Sequence, residues 1–255
     1  GTWKVTRPGR LPETERAVQT YLEPNRPTIR VLDVGSSTGA TSFDLFESLR
    51  RAFDRRVHVD ILELYGYLER LTYGPLVEYR VLGDVPILAR VGALGLRLSI
   101  PDGARPLTRE LVDAYLSLDD LRDHLSPSGR ISLFDPRVEE SDDFTVHEGS
   151  CLACHDAFVG RFDVIRASNI LNLSYFSRDQ LRGAIGYLGE YLTDGGCLVI
   201  SRNLMEVDDG IEQGTIWRKA GPTLRKLDDF GGGSEVESLV EGERLSLATD
   251  DRSAS

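Results

Sequence analysis

The feature that most constrains this chain is an apolar run at 29–34 (IRVLDV) that stops at a glycine-rich turn, 35–39 (GSSTG). A compact apolar run that ends at glycine is typical of a buried strand. Apolar residues then recur on one helical face up to about residue 53, and 57–61 (VHVDI) is a second predicted strand. Strand, glycine turn, helix and strand in this order predict a parallel sheet with helices on its faces.

The same alternation returns in the second half of the chain. The predicted elements are strands at 144–148, 162–167 and 197–201, a helix from Ser177 to Gly195-Gly196, and a hairpin within 214–230. The helix is expected to begin at a capping box, because Gln180 follows Ser177 by three residues. We therefore predict an α/β fold with a doubly wound, mostly parallel sheet of the seven-stranded type, an antiparallel C-terminal hairpin and a capping insert.

The alternation is interrupted by the segment 62–143, which we predict to be an inserted cap or lid over the site. Its pattern predicts a hairpin at 77–98, helical stretches at 108–125 and a strand at 131–138. The predicted regions of the whole chain are a helical lead-in at 1–28 with a helix over 12–22, a sheet domain at 29–61 and 144–240, the insert, and a flexible tail at 241–255.

Composition argues against several classes of protein. The net charge of −11 and the isoelectric point near 4.9 argue against binding to nucleic acid through phosphate neutralisation. No window reaches the roughly 18 apolar residues of a membrane-spanning helix. Three cysteines, an odd number, form no disulfide framework, and 1–4 (GTWK) lack the apolar run of a signal peptide. We therefore expect a cytoplasmic protein with a small-molecule substrate and with no nucleic-acid or membrane partner; the oligomeric state is left open.

The glycine turn also restricts the ligand. Gly35 allows a sharp turn off the strand and Gly39 allows close packing of the helix, so that backbone N–H groups face a ligand. A dinucleotide fingerprint has glycine where this chain has Ser37, and a P-loop needs a G-K-[ST] sequence that is absent here. Asp60 is predicted to end the second strand, where a carboxylate binds ribose hydroxyls. Together these features predict an adenosine-containing ligand without phosphates.

These segments resemble the motifs of class I S-adenosylmethionine (SAM) dependent methyltransferases. The segments 31–39 (VLDVGSSTG) and 57–61 (VHVDI) are similar to the first and second motifs. The third region is matched by 147–151 (HEGSC), although Ser150 stands where the family often has Asp. The segments 162–176 (FDVIRASNILNLSYF) and 192–201 (LTDGGCLVIS) resemble the fourth and fifth motifs, and the insert matches none.

The resemblance implies that SAM is the cofactor and S-adenosylhomocysteine (SAH) the product. It also implies that the glycine turn holds the methionine end, that Asp60 holds the ribose, and that the loop at 148–151 flanks the adenine. The implied cofactor-binding residues are Asp33, Gly35, Ser36, Ser37, Gly39, Asp60, Ile61, Glu148, Gly149, Ser150 and Asn169. The acceptor is expected at the carboxyl ends of the strands, under the insert.

The second half is also similar to chemotaxis-receptor glutamate methyltransferases, which carry an Asn in the place of Asn169. The N-P-P-[YF] motif of amide and exocyclic-amine methyltransferases is absent from the sequence. We therefore favour methyl transfer to the oxygen of a small-molecule acceptor over transfer to an amide nitrogen. A protein-carboxylate methyltransferase and a non-catalytic SAM-binding regulator or scaffold remain as alternatives.

His147 and His155 are the candidate general bases, because imidazole titrates near neutral pH. The alternative is that both are loop histidines with ordinary hydrogen bonds. The sequence Cys151-x-x-Cys154-His155 matches the pattern of c-type haem attachment. Since it falls in the predicted adenine loop, and two Cys with His155 leave a tetrahedral ligand set incomplete, we expect neither haem nor a metal.

Overall fold

The computed structural model describes residues 8–73, 77–82, 85–91, 94–97, 126–204 and 211–240. The contacts divide the described residues into two compact units, of which the smaller lies within Tyr65–Phe134 and the larger consists of the described residues before Tyr65 and after Phe134. None of the helices in these ranges is long and apolar enough to span a membrane.

The elements are numbered in chain order. The helices are α1 (Pro12–Tyr21), α2 (Ala40–Ala52), α3 (Pro136–Glu139), α4 (Arg178–Tyr191) and α5 (Glu237–Val240). The strands are β1 (Thr28–Val34), β2 (Arg56–Glu63), β3 (Tyr67–Tyr73), β4 (Val77–Leu82), β5 (Val85–Val91), β6 (Leu94–Arg97), β7 (Ser126–Ser132), β8 (Phe144–Glu148), β9 (Phe162–Ser168), β10 (Leu192–Leu204), β11 (Ile211–Ala220) and β12 (Thr223–Phe230).

The larger unit is built on a seven-stranded sheet in the order β12-β11-β10-β9-β1-β2-β8. The strands from β10 to β8 in this order pair in parallel. At the other edge β11 pairs antiparallel with β10, and β12 pairs antiparallel with β11. The predicted sheet, mostly parallel with an antiparallel C-terminal hairpin, is confirmed.

Helices cover both faces of this sheet. Asp33 of β1 contacts Ser42 of α2, whereas its neighbours Leu32 and Val34 belong to the core cluster that includes Leu188 of α4. Because successive side chains of a strand point to opposite faces, α2 and α4 lie on opposite faces. The sheet is therefore doubly wound, as predicted.

Two predicted elements, one in each unit, are wrong in their bounds. Helix α4 opens at the predicted capping box of Ser177 and Gln180 but ends at Tyr191, and Gly195-Gly196 lies inside β10 where the pairing with β9 shifts register. The predicted strand at 131–138 stops at Ser132, because the side chain of Asp135 caps the short helix α3. The tail at 241–255 lies outside the described residues.

The smaller unit contains an antiparallel sheet in the order β6-β5-β4-β3-β7. The hairpin predicted at 77–98 is confirmed by the pairing of β4 with β5 and of β5 with β6. The unit is narrower than the predicted insert of 62–143, since β2 continues to Glu63 and α3 belongs to the larger unit. The helical stretches at 108–125 lie outside the described residues, and the role of this unit as a cap stays a prediction.

Helix α1 is capped by a side chain from the far end of the chain. Its N-cap residue, Leu11, makes no side-chain cap, and the buried carboxylate of Glu212 in β11 accepts the backbone N–H groups of Glu13 and Thr14 at 2.8 and 2.9 Å. The hydroxyl of Thr14 contacts the same carboxylate and lies 2.8 Å from Oγ of Ser201 in β10. The lead-in helix is thereby fixed to the sheet beside the carboxyl end of β10.

Glu212 should make the stability of this contact depend on pH. Burial raises the pKa of Glu212, although the hydrogen bonds from Thr14 and the backbone oppose the shift. The carboxyl group of Glu212 therefore binds a proton more tightly in the folded state than in the unfolded state. Above its folded-state pKa, the buried charge destabilises the folded protein. This cost disappears as the pH falls towards the ordinary glutamate pKa of about 4.3. Relative to Glu212→Gln, the wild type should gain stability as the pH is lowered, as measured by urea unfolding at a series of pH values. A difference between the two proteins that does not change with pH would contradict this expectation.

Candidate functional site

The turn between β1 and α2 requires glycine at both ends. Gly35 has a φ of 69°, and a Cβ placed there would lie 2.9 Å from Cβ of Ile170. Its N–H donates to the carbonyl of Leu62 at 2.9 Å, which joins the turn to the end of β2. Gly39, with a φ of 75°, is the N-cap of α2 and leaves that helix without a side-chain cap. The first N–H groups of α2 thus lie at the carboxyl edge of the sheet, where an electronegative ligand group would be favoured.

The two serines of the turn have different environments. Ser37 adopts a φ of 61°, and its N–H donates to Oε2 of Glu63 at 2.7 Å. Ser36 is 7% exposed, and its buried Oγ has no hydrogen-bond partner among the described residues. A buried hydroxyl without a partner costs free energy unless a bound group satisfies it. Ser36 is therefore the turn residue that most directly indicates a ligand.

Asp33, two residues before the glycine turn, links β1 to β9 and to α2. Its carboxylate accepts from Nε and Nη2 of Arg166 at 2.9 and 2.5 Å, and from Oγ of Ser42 at 2.5 Å. The side chains of Asp33 and Arg166 are only 2% and 1% exposed, and Nη2 of Arg166 also reaches Oγ1 of Thr41 at 3.2 Å. This buried pair joins β1, β9 and the first turn of α2. In the structure, Asp33 therefore helps to position the start of α2, which directly follows the glycine turn.

The placement of Asp60 at the end of a strand is wrong. Strand β2 continues to Glu63, and Asp60 pairs with Leu32, two residues before the end of β1. Asp60 is fully buried, and its Oδ1 lies 2.7 Å from Nε2 of His147. Ile61 is fully buried beside it. The error arose because 57–61 looks complete as an apolar strand, although the pattern continues through Leu62.

Glu63 is an acidic residue at the carboxyl end of β2, beside the glycine turn, and the sequence analysis did not select it. Val34, the last residue of β1, pairs with Leu62, so Glu63 is the first residue beyond the end of the neighbouring strand. One carboxylate oxygen accepts the N–H of Ser37, and the carbonyl accepts the N–H of Gly149 at 3.0 Å. An isolated acid in the sequence Ile61-Leu62-Glu63-Leu64 was the available signal.

The loop after β8 lies against Glu63 and is shaped by His155. Glu148 is exposed and pairs in register with Glu63, and a Cβ on Gly149 would lie 2.7 Å from Cε1 of His155. Nε2 of His155 lies 3.0 Å from the carbonyl of Ser150. Burial raises the pKa of Cys151, and the nearby charge of Glu63 adds to the shift. The loop at 148–151 therefore lies beside Glu63, and its contact with adenine stays a prediction.

Both candidate bases use Nε2 for a contact within the protein. Nε2 of His147 contacts Asp60, and Nε2 of His155 contacts the carbonyl of Ser150. Their rings pack against Phe158 at centroid distances of 4.9 and 5.2 Å. The first contact joins β8 to β2 and the second supports the loop, so both favour the alternative in which these histidines make ordinary structural hydrogen bonds. Within the described ranges, no group of three or more His, Cys, Asp and Glu residues is arranged to hold a metal ion.

Asn169 lies at the end of β9, next to the turn. It has a φ of 62°, its N–H donates to the carbonyl of Ser201 at 2.8 Å, and its Oδ1 accepts the N–H of Asn203 at 2.8 Å. This side chain is therefore used to hold the end of β10 in place. Its neighbour Ile170 is the residue that packs on Gly35.

The carboxyl ends of parallel strands thus bring four segments to one edge of the sheet: the turn at 35–39, Glu63, the loop at 148–151 and Asn169. Ligands of open α/β sheets bind at this edge. Because the carboxylate of Glu63 occupies a backbone donor of the turn, this edge suits hydroxyl-bearing or cationic groups better than phosphates.

Comparison with known proteins gives matches among solved structures. No protein-family model matches the chain, and no curated protein matches it. The trans-methyltransferase CalH in complex with SAH has a TM-score of 0.39 and 14% identity over 77% of this chain and 38% of its own. A SAM-dependent methyltransferase from Mesorhizobium loti has a TM-score of 0.36 and 14% identity over 74% of this chain and 53% of its own. The [4+2]-cyclase SpnF has a TM-score of 0.36 and 13% identity over 74% of this chain and 44% of its own.

This chain spans about a third to a half of the length of these structures.

Proposed function

We propose that this protein binds SAM at the carboxyl edge of its larger sheet and transfers the methyl group to an oxygen atom of a small molecule. The observation that carries the proposal is the contact between the carboxylate of Glu63 and the N–H of Ser37 at the glycine turn. This contact supports the proposal because the acid beside the turn could accept ribose hydroxyls, and because it uses a backbone donor that a phosphate would need.

The same contact separates SAM from phosphorylated cofactors. A pyrophosphate beside the turn would lie next to the carboxylate of Glu63, and like charges at contact distance are strongly unfavourable away from bulk water. SAM has an adenosine and a positively charged sulfonium but no phosphate. The charge on Glu63 therefore favours SAM over NAD or ATP.

The residues at this edge fit the parts of SAM. Glu63 would accept both ribose hydroxyls, the loop at 148–151 would flank the adenine, and the turn at 35–39 would hold the methionine end. Ser36 supports this assignment, because its buried Oγ has no partner among the described residues. When bound, SAM supplies a methyl group already activated by the positive sulfur.

The contribution of the protein is then alignment of the acceptor, since an activated methyl group needs proximity more than further activation. Asp33 and Arg166 hold β1, β9 and α2 in one arrangement, which keeps the turn in place. Nε2 of His147 contacts Asp60 of β2, and Nε2 of His155 holds the loop at 148–151 through the carbonyl of Ser150. An acceptor that loses its proton readily fits this site best.

The test is calorimetric titration with SAH, with NAD as the control ligand. We expect saturable SAH binding to the wild type and none with NAD. Glu63→Ala should weaken SAH binding about 30-fold, the effect of losing hydrogen bonds to a charged acceptor, and Glu63→Gln should weaken it less. Asp60→Asn should leave SAH affinity within about twofold, because Asp60 lies below the edge and contacts His147.

Two outcomes would contradict the proposal. If SAH produced no binding, the cofactor assignment would be wrong. If Asp60→Asn weakened SAH binding as much as Glu63→Ala, the assignment of Glu63 as the ribose acid would be wrong. The engagement of both histidines also favours one second candidate, a SAM-binding regulator without catalysis, which would bind SAH normally but methylate no acceptor.

A further inference from the structure

A row of hydroxyl groups leads from the carboxyl edge of the larger sheet to a buried acid. Ser168 is the last residue of β9, and its Oγ lies 2.7 Å from Oγ of Ser201 in β10. Oγ of Ser201 lies 2.8 Å from Oγ1 of Thr14 in α1, and the hydroxyl of Thr14 contacts the carboxylate of Glu212 in β11. We call Ser168, Ser201 and Thr14 the hydroxyl row.

The hydroxyl row begins beside the proposed cofactor site and ends inside the protein. Ser168 is 9% exposed at the edge of the sheet, whereas Thr14 is fully buried and Glu212 is 6% exposed. The turn at 169–176 follows Ser168 directly, and its residue Ile170 packs so closely on Gly35 that a Cβ on the glycine would lie 2.9 Å from Cβ of the isoleucine. The row therefore connects the edge that we assign to SAM with a carboxylate below it.

The charge of Glu212 sets the direction of the hydrogen bonds in the row. An ionised carboxylate only accepts, and each hydroxyl carries one hydrogen. Thr14 gives its single hydrogen to Glu212, so its oxygen is left to accept from Ser201. Ser201 in turn is left to accept from Ser168. This order leaves the oxygen of Ser168 able to accept a further hydrogen at the edge of the sheet.

Methyl transfer to a hydroxyl group releases a proton, and a positioned base speeds its removal. His147 and His155 each use Nε2 for a contact within the protein. Burial raises the pKa of Glu212, which makes its carboxylate a stronger base than that of an ordinary glutamate. The hydroxyl row therefore offers the proton a path that the two histidines do not.

We propose that the hydroxyl row carries the proton of the methyl acceptor from Ser168 to Glu212. This inference rests on the proposed function and names the base of its reaction. As the acceptor oxygen forms a bond to the methyl carbon, the methyl–sulfur bond breaks and its electron pair stays on sulfur. The acceptor proton passes to Oγ of Ser168, each hydroxyl passes its own proton to the next, and Glu212 becomes a neutral carboxylic acid. The positive charge of the sulfonium and the negative charge of Glu212 are thus lost together.

Two further acids face Glu212 from α1 and provide a matched control. Burial is the largest cause of the raised pKa of Glu212, the charge of Glu13 adds to it, and the hydrogen bonds from Thr14 and the backbone oppose it. Burial also raises the pKa of Glu15, and the charge of Glu212 adds to that shift. The side chain of Glu15 bonds to Ser48, outside the hydroxyl row. Glu15→Gln therefore removes a similar charge from α1 and leaves the row unchanged.

The experiment measures SAH formed from SAM with catechol, propanediol, acetoxime or malonate as the acceptor, at a series of pH values. Glu212→Gln keeps an oxygen that accepts from α1 but cannot take up a proton, and Ser201→Ala breaks the row in its middle. In the wild type we expect kcat to rise with pH as Glu212 ionises, and then to level off. Both variants should lower kcat about 100-fold or more, with the KM for SAM within about twofold, and Glu212→Gln should lose the rise. Glu15→Gln should keep the wild-type kcat and its pH dependence.

The outcomes separate this inference from the proposed function. A kcat that either variant retains, or a rise with pH that Glu212→Gln shares with the wild type, would overturn the proton path and leave methyl transfer intact. If SAH bound but none of the four compounds were methylated, the proton path would be overturned in favour of the SAM-binding regulator. Failure of SAH to bind would overturn the proposed function itself.

Discussion

Replacing Arg166 with Met is expected to lower the free energy of unfolding of the larger unit by about 3–5 kcal/mol, the cost of leaving a buried charge without its partner. Asp33 would keep its contact with Ser42 but lose both bonds from the guanidinium. Burial opposes the charge on Arg166, yet Asp33 outweighs it and the pKa of Arg166 is raised. The measurement is urea unfolding followed by the fluorescence of Trp217, a buried residue of β11, in a Trp3→Phe background.

The control for this prediction removes both charges. Asp33→Val with Arg166→Met should recover most of the lost stability, because a buried ion pair is often replaced by apolar residues at little cost. If the single and double variants were equally unstable, the loss would come from packing around Arg166 and not from an unpaired Asp33. An Arg166→Met protein as stable as the wild type would contradict the buried pair altogether.

The Asp33–Arg166 pair also shows what sequence patterns omit. The run at 29–34 predicts β1 correctly because its burial is local and continuous, and the glycine turn marks its end. The partner of Asp33 lies 133 residues away on β9, in a segment that sequence reasoning assigned only to a strand. A cross-strand partner depends on sheet order and register, neither of which the local pattern contains.

The same limit explains why spacing pointed to Asp60, whereas we propose Glu63 as the ribose acid. Both residues are acids of one strand, and spacing from the glycine turn alone favours Asp60. The choice depends on where β1 ends relative to β2, which the pairing of Val34 with Leu62 decides. Because β2 continues to Glu63, Asp60 lies inside the strand and contacts His147, and its predicted role as the ribose acid stays a prediction.

The histidines show a related limit. Residue type indicated two candidate bases near the predicted site, and the structure does bring both rings together around Phe158. The contact of His147 with Asp60 depends on the pairing of β8 with β2, and the contact of His155 with the carbonyl of Ser150 depends on the path of a loop, so neither could be read from the sequence. By contrast, the capping box of α4 was predictable, since both of its partners lie within four residues.

Gly35→Ala is expected to weaken SAH binding by about 100-fold or more, because displacing a ligand-holding turn by even 1 Å has effects of that size. Two causes act together at this position: the φ of 69° disfavours any residue with a Cβ, and the new Cβ would lie 2.9 Å from Cβ of Ile170. The measurement is the same SAH titration used for Glu63, with thermal unfolding to follow folding. Gly183→Ala in α4, where a Cβ meets nothing within 4 Å, is the matched control and should bind SAH like the wild type.

A second variant separates the two causes. Ile170→Gly in the Gly35→Ala protein removes the crowding side chain between the turn at 35–39 and the turn at 169–176. It leaves the backbone conformation at position 35 disfavoured. Recovery of SAH affinity would show that the close approach of these turns, and not the dihedral angle, is what requires glycine. No recovery would assign the requirement to the left-handed conformation. Normal SAH affinity in Gly35→Ala itself would contradict the placement of the cofactor at this turn.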